Sequence, residues 1–139
     1  MNRIILVSHG KLALGMKDTL DMIIGEKNEV IAFAAYSDDE PFEEKIREKV
    51  HAEYQQKSII IVTDILGGSV NNEMLKLMQT FPNIHLLAGM NLPLIIELAT
   101  YPNAFSKLEM AEVVAASKAA IVDCQALLKA TRKGGEGFD

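Results

Sequence analysis

The chain has 139 residues, of which 49% are hydrophobic and 24% are charged, a composition typical of one folded domain. Its net charge of −5 argues against a nucleic-acid-binding protein, and an aromatic content of 6% without tryptophan argues against a stacking platform for bases or sugars. No apolar segment approaches the roughly 20 residues of a membrane span, and the single cysteine, Cys124, is typical of a reducing compartment, so we expect a cytoplasmic protein.

Short β-rich segments alternate with segments of helical periodicity in the first half of the chain. Residues 4–7, Ile-Ile-Leu-Val, predict a strand that is buried on both faces. Apolar residues at helical spacing after Gly10 predict a helix that ends at Gly25. Residues 29–36 predict a second strand, and the acidic residues before Pro41 predict the start of a second helix.

The second half continues the same alternation. Residues 58–65 predict a third strand, which two glycines separate from a helix. Residues 84–89 predict a fourth strand, and helices are predicted from 93 to about 100 and from 107 to about 119. Residues 120–124 either end the last helix or form a fifth strand, because their periodicity suits both.

This alternation predicts an α/β fold with a doubly wound, mainly parallel sheet and helices on both faces. We expect one domain over residues 1–130 and a flexible, Gly-rich tail over residues 131–139. With the strand order 2-1-3-4, the order reverses between strands 1 and 3, and ligands bind at the carboxyl ends of strands beside such a reversal. His9 follows strand 1 and Asp64 ends strand 3, so both would lie at this crevice.

A histidine beside an aspartate and a glycine-rich helix start suits the chemistry of a phosphoryl group. A carboxylate that accepts one imidazole N–H leaves the other ring nitrogen free to attack. Gly67, Gly68 and Ser69 begin the next helix, where backbone N–H groups form an anion site. Each residue alone also has a structural explanation, but their convergence at one edge favours an anion-handling site.

Other chemistry has less support in the sequence. No histidine or cysteine cluster has the spacing of a metal site, and His85 is predicted at the opposite end of the sheet from His9. Neither GxxxxGK[ST] nor GxGxxG is present, so the sequence predicts no nucleotide site. We therefore expect no metal and no cofactor.

Three segments, residues 4–15, 60–72 and 89–98, together resemble the enzyme IIA domains of the mannose-type sugar phosphotransferase system. The resemblance extends over roughly residues 2–128. It implies a phosphotransferase in which Nε2 of His9 carries the phosphoryl group and Asp64 orients His9. It also implies that Gly67, Gly68 and Ser69 lie beside the phosphohistidine.

The resemblance also implies protein partners. The donor would be the phosphocarrier HPr and the acceptor a separate enzyme IIB, with the membrane subunits IIC and IID acting further along. Mannose, fructose, sorbose, amino sugars and gluconate all stay open as the sugar, and so does a mainly regulatory role, because the membrane subunits select the substrate.

The family implies a homodimer in which a C-terminal strand, here residues 120–124, crosses to the partner's sheet. Leu66, Met90 and Leu92 are candidates for an apolar docking rim around His9.

One departure concerns the start of the helix after the glycines. Many members of the family continue with Pro-Phe-Asn or Pro-Ala-Asn, whereas this chain has Val70, Asn71 and Asn72. We expect the loss of proline to loosen the helix start and Asn71 to replace an apolar contact with a polar one.

Three other readings stay open. The phosphotransferase subunit of dihydroxyacetone kinase shares the fold, but its strand 3 tends to end in Asp-Leu-Gly-Ser, without the additional residues found here. A small tetrapyrrole metal chelatase can also begin with a strand and His-Gly, but it needs a second histidine at the same edge. A binding module without catalysis could use the same glycines.

Overall fold

The computed structural model describes residues 1–133, which form an α/β fold with a four-stranded sheet. The strands are β1 Asn2–His9, β2 Val30–Ala35, β3 Ser58–Thr63 and β4 His85–Ala88. The helices are α1 Leu12–Ile24, α2 Phe42–Glu53, α3 Ser69–Thr80, α4 Leu92–Thr100, α5 Lys107–Ala119 and α6 Cys124–Lys133. The sheet order is β2-β1-β3-β4 and every pair is parallel, which confirms the predicted fold.

The two central strands are apolar on both faces because each face packs against helices. Ile4 and Leu6 of β1 lie in one core cluster, whereas Ile5 and Val7 lie in the other. Successive side chains of a strand point to opposite faces, so this continuous apolar segment fills two cores at once. The first cluster includes residues of α1, α4 and α5, and the second includes residues of α2 and α3.

The structure differs from expectation at the C-terminal end of the fold. Residues 120–124 form no strand, because residues 120–123 connect α5 to α6 and Cys124 begins α6. A strand that pairs with another molecule's sheet has no hydrogen-bond partner within one chain. Of the predicted tail, residues 131–133 belong to α6, and residues 134–139 lie outside the part that the structure describes.

The helices of residues 1–133 are all too short or too polar to cross a lipid bilayer.

A buried ion pair fixes the amino end of the sheet. Arg3 of β1 donates from Nε and Nη2 to the two carboxylate oxygens of Glu53, at 2.9 Å each, and from Nη1 to the carbonyl oxygen of Asn28 at 2.7 Å. Lys49 and Lys57 also lie against the Glu53 carboxylate. The Arg3 hydrogen bond is the largest influence on this carboxyl and outweighs burial, so the pKa of Glu53 falls from 4.5 to about 2.

The lowered pKa of Glu53 predicts that part of the free energy of unfolding is lost at acidic pH. A carboxyl whose pKa is lower in the folded state stabilises the fold above its unfolded pKa, here 4.5, and loses that effect as the pH falls toward about 2. At pH 7 we expect Glu53→Gln to lower the free energy of unfolding by about 2–3 kcal/mol. Urea unfolding from pH 7 to pH 2 measures this, and the two curves should converge at the acidic end.

The matched control is Glu73→Gln, which removes a carboxylate from the exposed pair with Lys76 on α3. An exposed pair contributes little, so we expect a change below about 0.5 kcal/mol at every pH. A Glu53→Gln variant as stable as the wild type at pH 7 would contradict the stabilising role of the ion pair.

Candidate functional site

The two central strands bring His9 and Asp64 to the same edge of the sheet. His9 ends β1, and Asp64 directly follows β3. The register pairs Val7 with Thr63, which places His9 at the end of β1 close to Asp64, one residue beyond the end of β3. This is the position where the strand order reverses, as the sequence predicted.

Asp64 holds His9 through two hydrogen bonds to one carboxylate oxygen. Both Nδ1 and the backbone N–H of His9 lie 2.8 Å from Oδ2 of Asp64. An ionised carboxylate only accepts hydrogen bonds, so this partner assigns the ring proton to Nδ1 and leaves the lone pair on Nε2. The His9 side chain is 46% exposed and that of Asp64 is 12% exposed, so Nε2 is accessible while its orienting group is sheltered.

The environment keeps Asp64 ionised. Partial burial alone would raise the pKa of this carboxyl, but the hydrogen bonds from the His9 backbone and ring hold the pKa of Asp64 below its usual value. The backbone N–H of Ile65 also donates to the second oxygen, Oδ1, at 3.0 Å. The ionised carboxylate of Asp64 stabilises any positive charge that develops on the imidazole of His9.

The glycine segment lies against the other side of His9. Gly67 has φ of 78°, a left-handed conformation that favours glycine, and Gly68 precedes the first residue of α3. A Cβ atom on Gly68 would lie 2.9 Å from Cγ2 of Ile65 and 3.4 Å from Cε1 of His9, so only glycine leaves this space open. The Ser69 hydroxyl lies 3.1 Å from Nε2 of His9 and donates to its lone pair. All five residues predicted for the site are therefore adjacent.

The start of α3 adds an anion-binding feature. No side chain caps the helix at Gly68, so its first backbone N–H groups have no side-chain acceptor. The helix dipole places partial positive charge at this end, beside Nε2 of His9. The arrangement combines a nucleophilic nitrogen, an orienting carboxylate and donors for phosphoryl oxygens.

A buried hydrogen bond that the sequence analysis missed joins α3 to β3. The Thr63 hydroxyl donates to the side-chain oxygen of Asn71 at 2.8 Å, and both residues are buried. The Thr63 carbonyl oxygen accepts from the backbone N–H groups of Gly89 and Met90. The helix begins at Ser69 without the family's proline. Asn71, expected to replace an apolar contact with a polar one, forms a polar contact with the strand that precedes the site.

Ser8 was also missed as a supporting residue. It is fully buried next to His9, and its hydroxyl oxygen accepts from the backbone N–H of Ala13 at 2.7 Å. The residue before α1, Lys11, provides no side-chain cap, so Ser8 satisfies a donor in the first turn of that helix. In the sequence, the available signal was a serine at the end of a predicted strand, shortly before a helix that begins without a capping residue of its own.

The residues proposed for a docking rim have different surroundings. Leu66 is 78% exposed beside the glycines, and Leu92 is half-buried at the start of α4. Met90 is only 9% exposed and packs in the core cluster with residues of α4, so its side chain does not contribute to such a rim. An exposed aromatic residue, Tyr36, instead lies near His9, with ring centroids 5.6 Å apart.

The remaining histidines lie away from this edge. His85 begins β4 and pairs with Ile60, near the amino end of the sheet, and burial lowers the pKa of its imidazole. His51 lies on α2 with its ring 6.4 Å from that of Phe81. No group of three His, Cys, Asp or Glu side chains in residues 1–133 has an arrangement that could hold a metal ion.

Comparisons with known proteins identify the family that this chain matches. The family model EIIA-man, described as the PTS system fructose IIA component, matches residues 3–118. The chain is 31% identical over 103 residues to the sorbose-specific EIIA component of Klebsiella pneumoniae, covering 73% of this chain and 76% of that protein. It is 25% identical over 100 residues to the fructose-specific EIIA component of Bacillus subtilis, covering 70% and 68%. A structure of the PTS IIA protein associated with the fucose utilization operon of Streptococcus pneumoniae has a TM-score of 0.79 at 26% identity, over 91% of this chain and 96% of that one.

The buried bond between Thr63 and Asn71 predicts energetic coupling across the site. Removing one partner leaves the other's polar group buried and unpaired, so we expect Thr63→Val and Asn71→Leu each to lower the unfolding free energy by about 1–2 kcal/mol. The double variant should lose clearly less than the sum of the two. Chemical denaturation of all four proteins measures this cycle, with Thr19→Val, on the exposed side of α1, as the control. Strictly additive losses would contradict the coupling.

Proposed function

The chain belongs to the EIIA-man family, the mannose-type IIA components of the sugar phosphotransferase system, and we propose that it accepts a phosphoryl group on Nε2 of His9 and passes it to another protein. This proposal rests on one observation, the hydrogen bonding and exposure of the His9 side chain. Its Nδ1 is bound to Asp64, its Nε2 carries an unprotonated lone pair that accepts from the Ser69 hydroxyl, and the side chain is half exposed beside the start of α3.

The transfer exchanges one nitrogen–phosphorus bond for another. The lone pair of Nε2 attacks the phosphorus of a donor phosphohistidine, and the donor's N–P bond breaks with its electron pair returning to the donor ring. Nδ1 of His9 keeps its proton throughout and donates a hydrogen bond to the Asp64 carboxylate. Because bond types on the two sides match, the site has mainly to position the groups and stabilise charge.

Each residue around His9 has a separate task in this reaction. Asp64 fixes the tautomer and balances the positive charge that the imidazole ring acquires with the phosphoryl group. Ser69 and the backbone N–H groups after Gly67 and Gly68 donate to the phosphoryl oxygens. Glycine at position 68 keeps side-chain atoms away from Ile65 and from Cε1 of His9, so nothing at this position crowds the imidazole.

HPr serves as the donor and a histidine of enzyme IIB as the acceptor, as the family resemblance implies. The half-exposed His9 and the exposed side chains of Ile65 and Leu66 support successive docking of two proteins at one face. This exchange takes place in the cytoplasm, and the membrane subunits IIC and IID then use the phosphoryl group during sugar uptake.

We further propose that the protein is a homodimer with an exchanged C-terminal segment. Within residues 1–133, the edge strand β4 has no partner on its outer side. Ile121 and Val122 lie in the segment between α5 and α6 and are exposed, as are Leu127 and Leu128 of α6. Exposed apolar side chains and an unpaired strand edge each favour burial against a second copy.

The proposal for His9 predicts a phosphoryl gain that depends on one residue. With phosphoenolpyruvate, enzyme I and HPr, we expect the wild type to gain one acid-labile phosphoryl group and His9→Ala to gain none. Intact mass spectrometry before and after acid treatment measures the gain. His51→Ala removes an exposed histidine of α2 and should keep the full gain.

Two results would contradict the proposal. One is a wild type that stays unmodified while HPr in the same tube is phosphorylated. The other is an undiminished gain in His9→Ala.

The role proposed for Asp64 predicts that replacing this residue changes the rate of phosphoryl transfer but not the fold. Asp64→Asn keeps the side-chain shape but loses the charge that balances the imidazolium, so we expect transfer from HPr to slow by roughly 10²-fold or more. Quenched-flow measurement of phosphoryl transfer gives the rate, and circular dichroism checks the fold. Asp18→Asn, on the exposed side of α1, is the matched control and should keep the wild-type rate. Equal rates for Asp64→Asn and the wild type would remove the proposed role of Asp64.

The dimer has its own test. Multi-angle light scattering at micromolar concentration should give twice the mass of one chain. Truncation after residue 119 removes the exchanged segment and should give the monomer mass. A full-length protein that is monomeric under these conditions would exclude strand exchange.

A further inference from the structure

Tyr36 occupies a position beside His9 that none of the roles above explains. Its ring centroid lies 5.6 Å from that of His9, with the planes tilted by 42°. Asp64 and Ser69 are hydrogen-bonded to Nδ1 and Nε2 of His9, and Gly68 lies near Cε1. Tyr36 therefore adds an aromatic neighbour to a ring whose polar contacts are already made.

The backbone at Tyr36 is unusual for an aromatic residue. Its φ of 62° is left-handed, and no other non-glycine residue in the part of the chain that the structure describes has a positive φ. Bulky side chains rarely adopt this conformation, and such strain concentrates at functional sites. The side chain is 59% exposed, so core packing does not account for the strain.

Two contacts hold the Tyr36 ring at this position. Its edge packs against Phe42, the first residue of α2, with centroids 5.3 Å apart and planes at 77°. The preceding residue, Ala35, accepts a hydrogen bond from the backbone N–H of Gly10 at 2.9 Å, which joins the end of β2 to the segment after His9. The position of the Tyr36 ring is thereby fixed relative to the imidazole.

We propose that Tyr36 is a positioning residue for phosphoryl transfer, whose ring holds the His9 imidazole and stabilises it in the phosphorylated, positively charged state. This inference rests on the proposed function of His9. A phosphoryl group on Nε2 with the proton kept on Nδ1 gives the ring a positive charge. A cation within about 6 Å of a tyrosine ring centroid is attracted by the negative charge on the aromatic face.

This contact has a consequence for hydrolysis. When water attacks the phosphorus, the Nε2–P bond breaks, its electron pair returns to the ring, and the imidazole becomes neutral. Inorganic phosphate leaves with the oxygen of the water. A group that stabilises the cationic ring loses its effect along this path, so Tyr36 slows the loss of the phosphoryl group to water.

The test compares variants that keep or remove the aromatic ring. Tyr36→Phe keeps the ring and loses the hydroxyl, whereas Tyr36→Leu removes the ring. Tyr36→Asn also removes it, and asparagine tolerates the left-handed backbone, so a folding defect of the leucine variant would not prevent the test. Tyr54→Leu is the matched control, because Tyr54 packs against Phe81 away from His9.

Each protein is phosphorylated, freed of donor and followed by ³¹P NMR at constant pH. We expect Tyr36→Leu and Tyr36→Asn to shorten the half-life of the phosphohistidine by roughly two- to fivefold, in line with an exposed cation–π contact. Tyr36→Phe and Tyr54→Leu should keep the wild-type half-life. The equilibrium distribution of phosphoryl groups with HPr should shift away from the two ring-free variants by a similar factor.

A second measurement needs no phosphorylation. The ring protons of His9 should change chemical shift in Tyr36→Leu and Tyr36→Asn but much less in Tyr36→Phe, because the ring current of residue 36 acts on them. A wild type that never accepts a phosphoryl group would overturn the function of His9, and the proposal for Tyr36 with it.

Normal phosphorylation with equal half-lives in all variants would overturn the proposal for Tyr36 alone. Variants that change only the KM for HPr would also overturn it, because they would make Tyr36 a docking residue.

Discussion

The hydrogen bonds from His9 to the Asp64 carboxylate are the contact on which the whole site depends. Both reach one oxygen, one from the backbone and one from the ring, so they fix the end of β1 and the imidazole together. This contact forms only because β1 and β3 are parallel neighbours in register at the reversal of strand order. The α/β architecture therefore places the two groups before any partner or phosphoryl group is present.

The two ends of the sheet are stabilised by different means. At the amino end, Arg3 and Glu53 form a sheltered ion pair that joins β1 to α2 and remains charged over a wide pH range. At the carboxyl end, the contacts of His9 leave the imidazole half exposed. The sheet is thus held rigidly at its amino end, whereas the imidazole at its carboxyl end stays accessible.

Much of the fold and site was predictable because it follows from periodicity and topology. Continuous apolar segments predicted the buried central strands, and their parallel order predicted that His9 and Asp64 would meet. Features set by local backbone geometry or by three-dimensional packing were not predictable in this way. The left-handed conformation of Tyr36 has no glycine to indicate it, and the burial of Asn71 depends on Thr63 on a strand eight residues earlier in the chain. Residues 120–124 were ambiguous because their periodicity suits both the end of a helix and a strand.

Thr63 shows how the site combines rigidity with reversibility. This one buried residue holds the start of α3 through its hydroxyl and the turn after β4 through its carbonyl oxygen. A cradle fixed in this way would need little rearrangement in the transfer proposed for His9, whichever way the phosphoryl group moves. In that proposed transfer, the direction of net flow would follow the relative concentrations of phosphorylated donor and free acceptor.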